Sequence, residues 1–396
     1  MRGRCGWMTG LTLAMALLLP TAVWAAPATS PKAAPVVGND FRISDTGSLT
    51  DEQGAAVAGN AAAGNYLVVW ESPDAYGASD IYGQLVAADG SRLGEEFLIR
   101  DPANTRNPKE PAVTATSAGY LVVWSNQVET DTRRDIYGQR ISTTGEMLGS
   151  AFRVSGPGGS GTEIMPAAVW NGTESLVVWV DDRNYEERGT DIYGRRVADD
   201  GTRPGSDFRI SGTNAVESEL GPAVAWNGVG YLVVWEDYRD LADRGVDVRG
   251  RRVTAAGAPE GRDFRISGTT ADANDFHPRV ASDGTGYLVV WEDWRMLPDR
   301  QTDIYGRLVS AAGKPVGANV RVCGPGAIGM DWVPVAAWDS GAGQYLVVWQ
   351  DERNWSERGS DIYGRRVAQD GARVGGDFRI SGSAATTYEY SPAVAW

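Results

Sequence analysis

Tyr231-Leu232-Val233-Val234-Trp235 returns along this chain as Tyr66–Trp70, Tyr120–Trp124, Ser175–Trp179, Tyr287–Trp291 and Tyr345–Trp349. The closing tryptophans stand at 70, 124, 179, 235, 291 and 349, so the step is 54 to 58 residues. A run of consecutive apolar residues makes both faces of an extended chain apolar, which predicts a strand buried on both sides. So regular a period predicts a repeat architecture. It overrides the two or three ordinary domains that 396 residues would otherwise suggest.

Three further segments accompany this run, here called segment b. Segment a precedes it, as in Pro222-Ala223-Val224-Ala225-Trp226, with cognates at Pro111, Pro166, Pro278, Pro334 and Pro392. Segment c follows as Asp191-Ile192-Tyr193-Gly194-Arg195-Arg196-Val197, echoed from Asp80, Asp135, Asp247, Asp303 and Asp361. Segment d is Asp207-Phe208-Arg209-Ile210-Ser211, echoed at Phe41, Phe97, Phe152, Phe264, Val320 and Phe378. Asn227-Gly228 and Asp283-Gly284 between a and b are hairpin signals. A glycine-punctuated turn joins c to d, and a longer polar loop such as Gly212 to Gly221 leads to the next a. This pattern predicts an all-β protein, a β-propeller of four-stranded antiparallel blades. A stacked β-solenoid is the alternative, but its coils are shorter and need no three hairpins per repeat. Alanine-rich a suits the crowded axis, and b suits the middle of the blade. Segment d, with Phe208 and Ile210 on one face and Asp207 and Arg209 on the other, suits the outer edge.

Segments a and d occur seven times, counting the proline-less a that precedes Tyr66, and b and c six times. The expectation is six full repeats plus a split seventh, its d at Asp40–Ser44 and its a at Pro392–Trp396. On this reading the natural gene continues for about 30 residues, through another b and another c.

The succession Tyr-Leu-Val-Val-Trp, Asp-Ile-Tyr-Gly-Arg-Arg-Val, Asp-Phe-Arg-Ile-Ser resembles the repeats of exported bacterial surface and adhesin-like β-propeller proteins. The resemblance covers residues 38–396 and implies a propeller-like domain and secretion. It implies no reaction. The Gly-His…Trp-Asp pairing, the kelch double glycine and the sialidase-type aspartate box are missing from the sequence.

A net charge of -14 argues against a nucleic-acid partner, which needs a basic footprint. Residues 1–25 read as a signal peptide: Arg2 and Arg4, an apolar Leu11 to Leu19, and Val23-Trp24-Ala25 at the cleavage position. Residues 26–37 read as a flexible leader, and 38–396 as the repeat domain. No membrane span is expected after cleavage. The expected location is secreted, cell-surface or periplasmic. Cleavage removes Cys5 and leaves Cys323, which stands where other repeats have Ser44, Ser155, Ser211, Ser267 and Ser381; it reads as a small buried replacement for serine.

Four repeats carry the same charged set after b: Asp181, Arg183, Arg188 and Asp191; Asp237, Arg239, Arg244 and Asp247; Asp293, Arg295, Arg300 and Asp303; Asp351, Arg353, Arg358 and Asp361. Forked arginine–carboxylate pairs suit a structural loop brace. A calcium site is the competing reading, but interleaved arginines repel the ion. Tyr185, Tyr238, Trp294 and Trp355 in the same loops are candidate ligand-binding aromatics. His277, the only histidine, stands where other repeats have Glu110, Met165, Gly221, Val333 and Ser391, and reads as incidental. No catalytic residue, metal ligand or cofactor is called for. Glu236-Asp237 and Glu292-Asp293 are adjacent in a strand end and point to opposite faces, a poor pair for glycoside hydrolysis unless carboxylates from different blades meet. The expected function is an exported binding or scaffold module without catalysis of its own, with an unknown protein or glycan ligand. The alternatives are a multivalent glycan-binding propeller and a carbohydrate-active enzyme with an acidic axial cleft. Equivalent pockets on several blades would mark the lectin; one cleft unlike the rest would mark the enzyme.

Overall fold

The computed structural model describes residues 40–44, 52–73, 78–99, 106–127, 133–156, 161–212, 217–268, 274–295, 302–324, 329–382 and 388–396. The signal peptide and leader expected over 1–37 lie outside the described residues. Six four-stranded antiparallel sheets are present among the described residues, each a meander in the order a-b-c-d. They are blade 1 (53–98), blade 2 (106–153), blade 3 (163–209), blade 4 (219–265), blade 5 (275–321) and blade 6 (331–379). The propeller is thus observed. No helix among the described residues is long and apolar enough to cross a membrane.

The apolar character of both faces of b has a plain cause. Each face packs on a different neighbouring blade. Leu67 and Val69 of blade 1 pack on Tyr120, Val122 and Trp124 of blade 2. The other face of the same blade 2 strand, Leu121 and Val123, packs on Val177 and Trp179 of blade 3. The pattern repeats between blades 3 and 4, 4 and 5, and 5 and 6. Trp124, Trp179, Trp235, Trp291 and Trp349 are all fully buried. Burial of one such large side chain is worth about 1.5–3 kcal/mol, so the repeated strand b is the main source of cohesion.

The turns follow their sequence signals. Gly228 takes φ 88° in the a–b turn, where the Asn227 side chain accepts from the amides of Val229 and Gly230. The c–d turns of blades 1 to 5 rest on the strand d phenylalanine at the preceding position of the ring; in blade 6, where that residue is Val320, Gly371 lies against Leu308 instead. A Cβ on Gly257 would lie 3.1 Å from the Phe208 ring.

Asp40–Ser44 and Ser391–Trp396 occupy the d and a positions of a seventh blade. The Gly382 amide donates to Asp40 Oδ2 (2.7 Å), as the Gly156 amide donates to Asp207 (2.8 Å) and the Gly324 amide to Asp377 (2.9 Å). Phe41 lies against Gly90 of blade 1, as Phe208 lies against Gly257. The Glu389 amide donates to Ser360 Oγ (3.1 Å), as the Glu219 amide donates to Thr190 Oγ1 (3.1 Å). The ring therefore has seven positions, six of them filled by complete sheets among the described residues.

Candidate active site

The innermost strands, segments a, enclose an axial cleft of about 600 Å³. Each enters the cleft through a bulge. In blade 5 the register slips between Phe276 and Arg279, and His277 takes φ 50°. The equivalent residues around the ring are Gly54, Glu110, Met165, Gly221, His277, Val333 and Ser391, all at φ between 46° and 64°. A positive φ on a non-glycine residue costs of order 1–3 kcal/mol, so something must hold it.

Carboxylates of the preceding blade do so. The amide of Glu110 donates to Glu71 Oε1 (2.6 Å), that of Met165 to Glu110 Oε2 (2.8 Å), that of His277 to Glu236 Oε1 (2.9 Å) and that of Val333 to Glu292 Oε1 (2.6 Å). Glu71, Glu236 and Glu292 come from the end of segment b. Blade 2 has Ser125 there; Glu110 accepts from its hydroxyl (2.9 Å) and supplies the missing carboxylate. The strand alternation expected for Glu236-Asp237 and Glu292-Asp293 is realised. The glutamates face the axis, and the aspartates face the outer loop.

Blade 5 differs from every other. His277 replaces a residue that is not basic anywhere else on the ring. Two positions on, Arg279 stands where the other blades place Ala56, Ala112, Ala167, Ala223, Val335 and Ala393. Both side chains line the cleft. His277 is half-exposed, and its Nδ1 lies 2.8 Å from Oε1 of the fully buried Glu292. That hydrogen bond, reinforced by the charges of Glu292 and Glu236, lifts the imidazole above its usual 6.5 despite its partial burial. Burial pulls Arg279 below the ordinary arginine range, while Glu236 and Glu292 hold its charge. Phe276, beside His277, is 5.2 Å edge-on from Trp294, which in turn lies 5.9 Å from Trp332. His277 is oriented by Glu292 within the one asymmetric wall of the cleft. In the sequence Arg279 is a break in the Pro-Ala run of segments a, but only the register of the bulge places it on the axis.

The loop residues sort differently. Arg183 grips Asp181 with both fork nitrogens (2.8 and 2.5 Å), Arg239 grips Asp237 (2.7 and 2.6 Å) and Arg353 grips Asp351 (2.8 and 2.5 Å). Arg295 grips Asp293 in the same way. Arg239 also reaches Asp263 of strand d (2.9 Å), and Arg353 reaches Asp377 (3.0 Å), tying the middle of a blade to its edge. The second pairs vary. Arg188 and Arg358 meet Asp191 and Asp361 at 3.3 and 3.4 Å, whereas Arg244 turns to Asp240 (2.6 Å) and leaves Asp247 to Arg265. Arg300 lies outside the described residues.

Among the aromatics, Tyr185 and Trp355 are exposed, Tyr238 donates to Glu236 Oε2 (3.3 Å), and Trp294 is packed between Phe276 and Trp332. Tyr185 and Trp355 open the equivalent one-turn helices of blades 3 and 6. Asp303, Cys323 and Asp331 form a buried group of metal-ligand type. Arg321 already sits there, 2.6 Å from Asp303 and 3.3 Å from the Cys323 sulfur, where a cation would bind.

No protein-family model and no curated protein matches the chain. Solved structures do. An α-L-arabinanase from Penicillium chrysogenum, complexed with arabinobiose, superposes with a TM-score of 0.55 at 13% identity over 80% of this chain and 94% of its own. An α-L-arabinofuranosidase from Fusarium graminearum, bound to an iminosugar inhibitor, gives 0.51 at 12% identity over 84% and 98%. A puromycin hydrolase gives 0.50 at 15% identity over 83% of this chain and 47% of its own. At these identities the likeness shows the fold. It also corrects one expectation. The expected binding or scaffold module without catalysis of its own is not what these three similar structures are: each is an enzyme by name, two of them arabinan- or arabinoside-directed. Adjacent carboxylates of one strand are a poor pair for such chemistry, and Glu71, Glu110 and Glu236, from three different blades, line the cleft.

Proposed function

We propose that this chain is an exported carbohydrate-active hydrolase that works in its axial cleft. One observation carries the reading: blade 5 alone places basic side chains, His277 and Arg279, on the ring, where Glu71, Glu110 and Glu236 of blades 1, 2 and 4 also line the cleft and Glu292 holds the imidazole. That is the single unlike cleft an enzyme requires, and it stands against a multivalent lectin. Hydrolysis of a glycosidic bond needs a proton donor for the leaving oxygen and a base for water on the other side. His277, held by Glu292 with a raised pKa, is the donor. Glu110 stands at the equivalent bulge of blade 2, three blades away around the ring, and is the cleft's half-buried carboxylate across from His277. Arg279 anchors a polar group of the substrate. The signal-peptide reading of residues 1–25 supports export.

The test is release of reducing sugar from a panel of polysaccharides, with arabinan and arabino-oligosaccharides first because the similar enzymes act on such glycans. Activity is expected on at least one, with a loss of ~10²-fold or more in His277→Asn and an unchanged melting temperature. No activity on any glycan, or a fully active His277→Asn, overturns the proposal.

A further inference from the structure

We propose that the glycan held in the axial cleft is acidic, with Arg279 receiving the carboxylate of a uronic acid residue. The inference rests on the carbohydrate-active reading of the cleft and names the class of its substrate.

Arg279 does nothing for its own blade that a small residue does not do elsewhere. It pairs in register with Val290, as Ala56 pairs with Val69, Ala112 with Val123, Ala167 with Val178, Ala223 with Val234 and Val335 with Val348. Its one hydrogen bond among the described residues runs from Nη1 to the carbonyl of the adjacent Pro278 (2.9 Å). That leaves Nε and Nη2, one prong of the guanidinium fork, for a ligand. Other arginines of the blades are committed. Arg239 and Arg353 grip aspartates, while Arg251 and Arg307 each donate to two backbone carbonyls.

The carboxylates nearest Arg279 act on it through their charge, without a hydrogen bond, and serve other donors. Glu236 accepts from the His277 amide at Oε1 (2.9 Å) and from the Tyr238 hydroxyl at Oε2 (3.3 Å). Oε1 of Glu292 takes the Val333 amide (2.6 Å) and the imidazole (2.8 Å). On this wall the charges of Arg279 and protonated His277 balance those of Glu236 and Glu292, so an incoming anion meets no net repulsion there. Elsewhere on the ring, Arg134 counters Glu110 and Glu71.

A guanidinium held partly out of water is matched best by a full negative charge, and its fork by a planar pair of oxygens. A sugar hydroxyl supplies neither. In a glycan the group that supplies both is the carboxylate of a uronic acid. Arg279 follows His277 by two positions on one strand and both line the cleft, which puts the acidic sugar at or beside the bond that His277 protonates.

The probes are trisaccharides of galacturonic acid and of glucuronic acid, each with its methyl ester, which keeps the shape and removes the charge. They are titrated calorimetrically into the full chain carrying His277→Asn, so that nothing is turned over. For at least one of the two sugars the acid is expected to bind about tenfold or more tightly than the ester. Arg279→Ala installs the residue most other blades carry at this place. It should keep the melting temperature and abolish the preference for the acid. Arg279→Lys, with a point charge and no fork, should keep part of it. Equal binding of acid and ester for both sugars, no binding of either acid, or a preference that survives Arg279→Ala overturns the inference. Turnover by the parent chain separates this from failure of the hydrolase reading. Acid-selective binding through Arg279 with no glycan hydrolysed upholds the acidic ligand and overturns hydrolysis. Hydrolysis confined to neutral glycans upholds hydrolysis and overturns the acidic ligand.

Discussion

His277 shows how much a single side chain's meaning depends on its neighbours. Its amide is fixed by Glu236 and its ring by Glu292. The folded imidazole holds its proton above the unfolded value of 6.5, so the protonated form is full below that value and is lost as pH rises through the raised pKa. If the imidazolium donates the proton, kcat/KM should be flat on the acid side of this transition and fall on the alkaline side. In Glu292→Gln the Val333 amide keeps an acceptor, but the imidazole loses its counter-charge. The alkaline limb should then move to lower pH, towards 6.5. A pH–rate profile of the two proteins checks this, and an unmoved limb assigns the titration to another group.

At the level of the element, the loop after segment b is organised by one forked contact. Asp237 is fully buried, and Arg239 is its bidentate partner as well as the link to Asp263. Removal of the guanidinium leaves two desolvated carboxylates without it. Arg239→Ala should cost about 3 kcal/mol, read as a lowered melting temperature. Arg244→Ala, which breaks only a surface pair with Asp240, should leave the melting temperature unchanged. Because guanidinium groups already occupy the anionic positions of these loops, EDTA should not shift the transition. A large chelator-induced fall would mean that a cation shares the site.

Across the whole molecule, the seams between blades store protons. Glu163 reaches from blade 3 into blade 2, where the Ile136 amide donates to it (3.2 Å). Burial pushes its carboxyl up to about 8, and the neighbouring charges of Asp181 and Asp135 add to this. Arg183 lies 3.7 Å away but is already committed to Asp181, so it does not reverse the direction. Glu219, Asp275 and Asp331 occupy the same place in the next seams and are raised for the same reason. Asp331 and Asp351 both accept from the Trp349 indole (3.2 and 3.1 Å), and burial, with the charge of Asp351 beside it, raises the Asp331 carboxyl. A folded pKa above the unfolded one gives stability that is complete below about 4.5 and lost as pH rises through about 8. The slope is about 1.4 kcal/mol per pH unit for each such group. Glu163→Gln should flatten this slope and melt higher than the parent at pH 8; denaturant titrations at pH 5 and 8 check it. A parallel pH dependence in the two proteins would place the proton elsewhere.

The fold was legible because its signals are local and repeated. A strand apolar on both faces, Asn-Gly turns and a constant step demand a meander whose two faces both meet like neighbours, and only a ring or stack of blades provides that. The buried place of Cys323 in a serine series was legible for the same reason. The cleft was not. Glu110, His277 and Arg279 lie in bulges of strands far apart in sequence. The property that distinguishes blade 5 is a comparison around the ring at one height on the axis. Period and patterning decide which residues face a neighbour, since that depends on alternation along a single strand. Only closure of the ring decides which side chains converge, because convergence depends on the bulge register and on distances between chain segments more than a hundred residues apart.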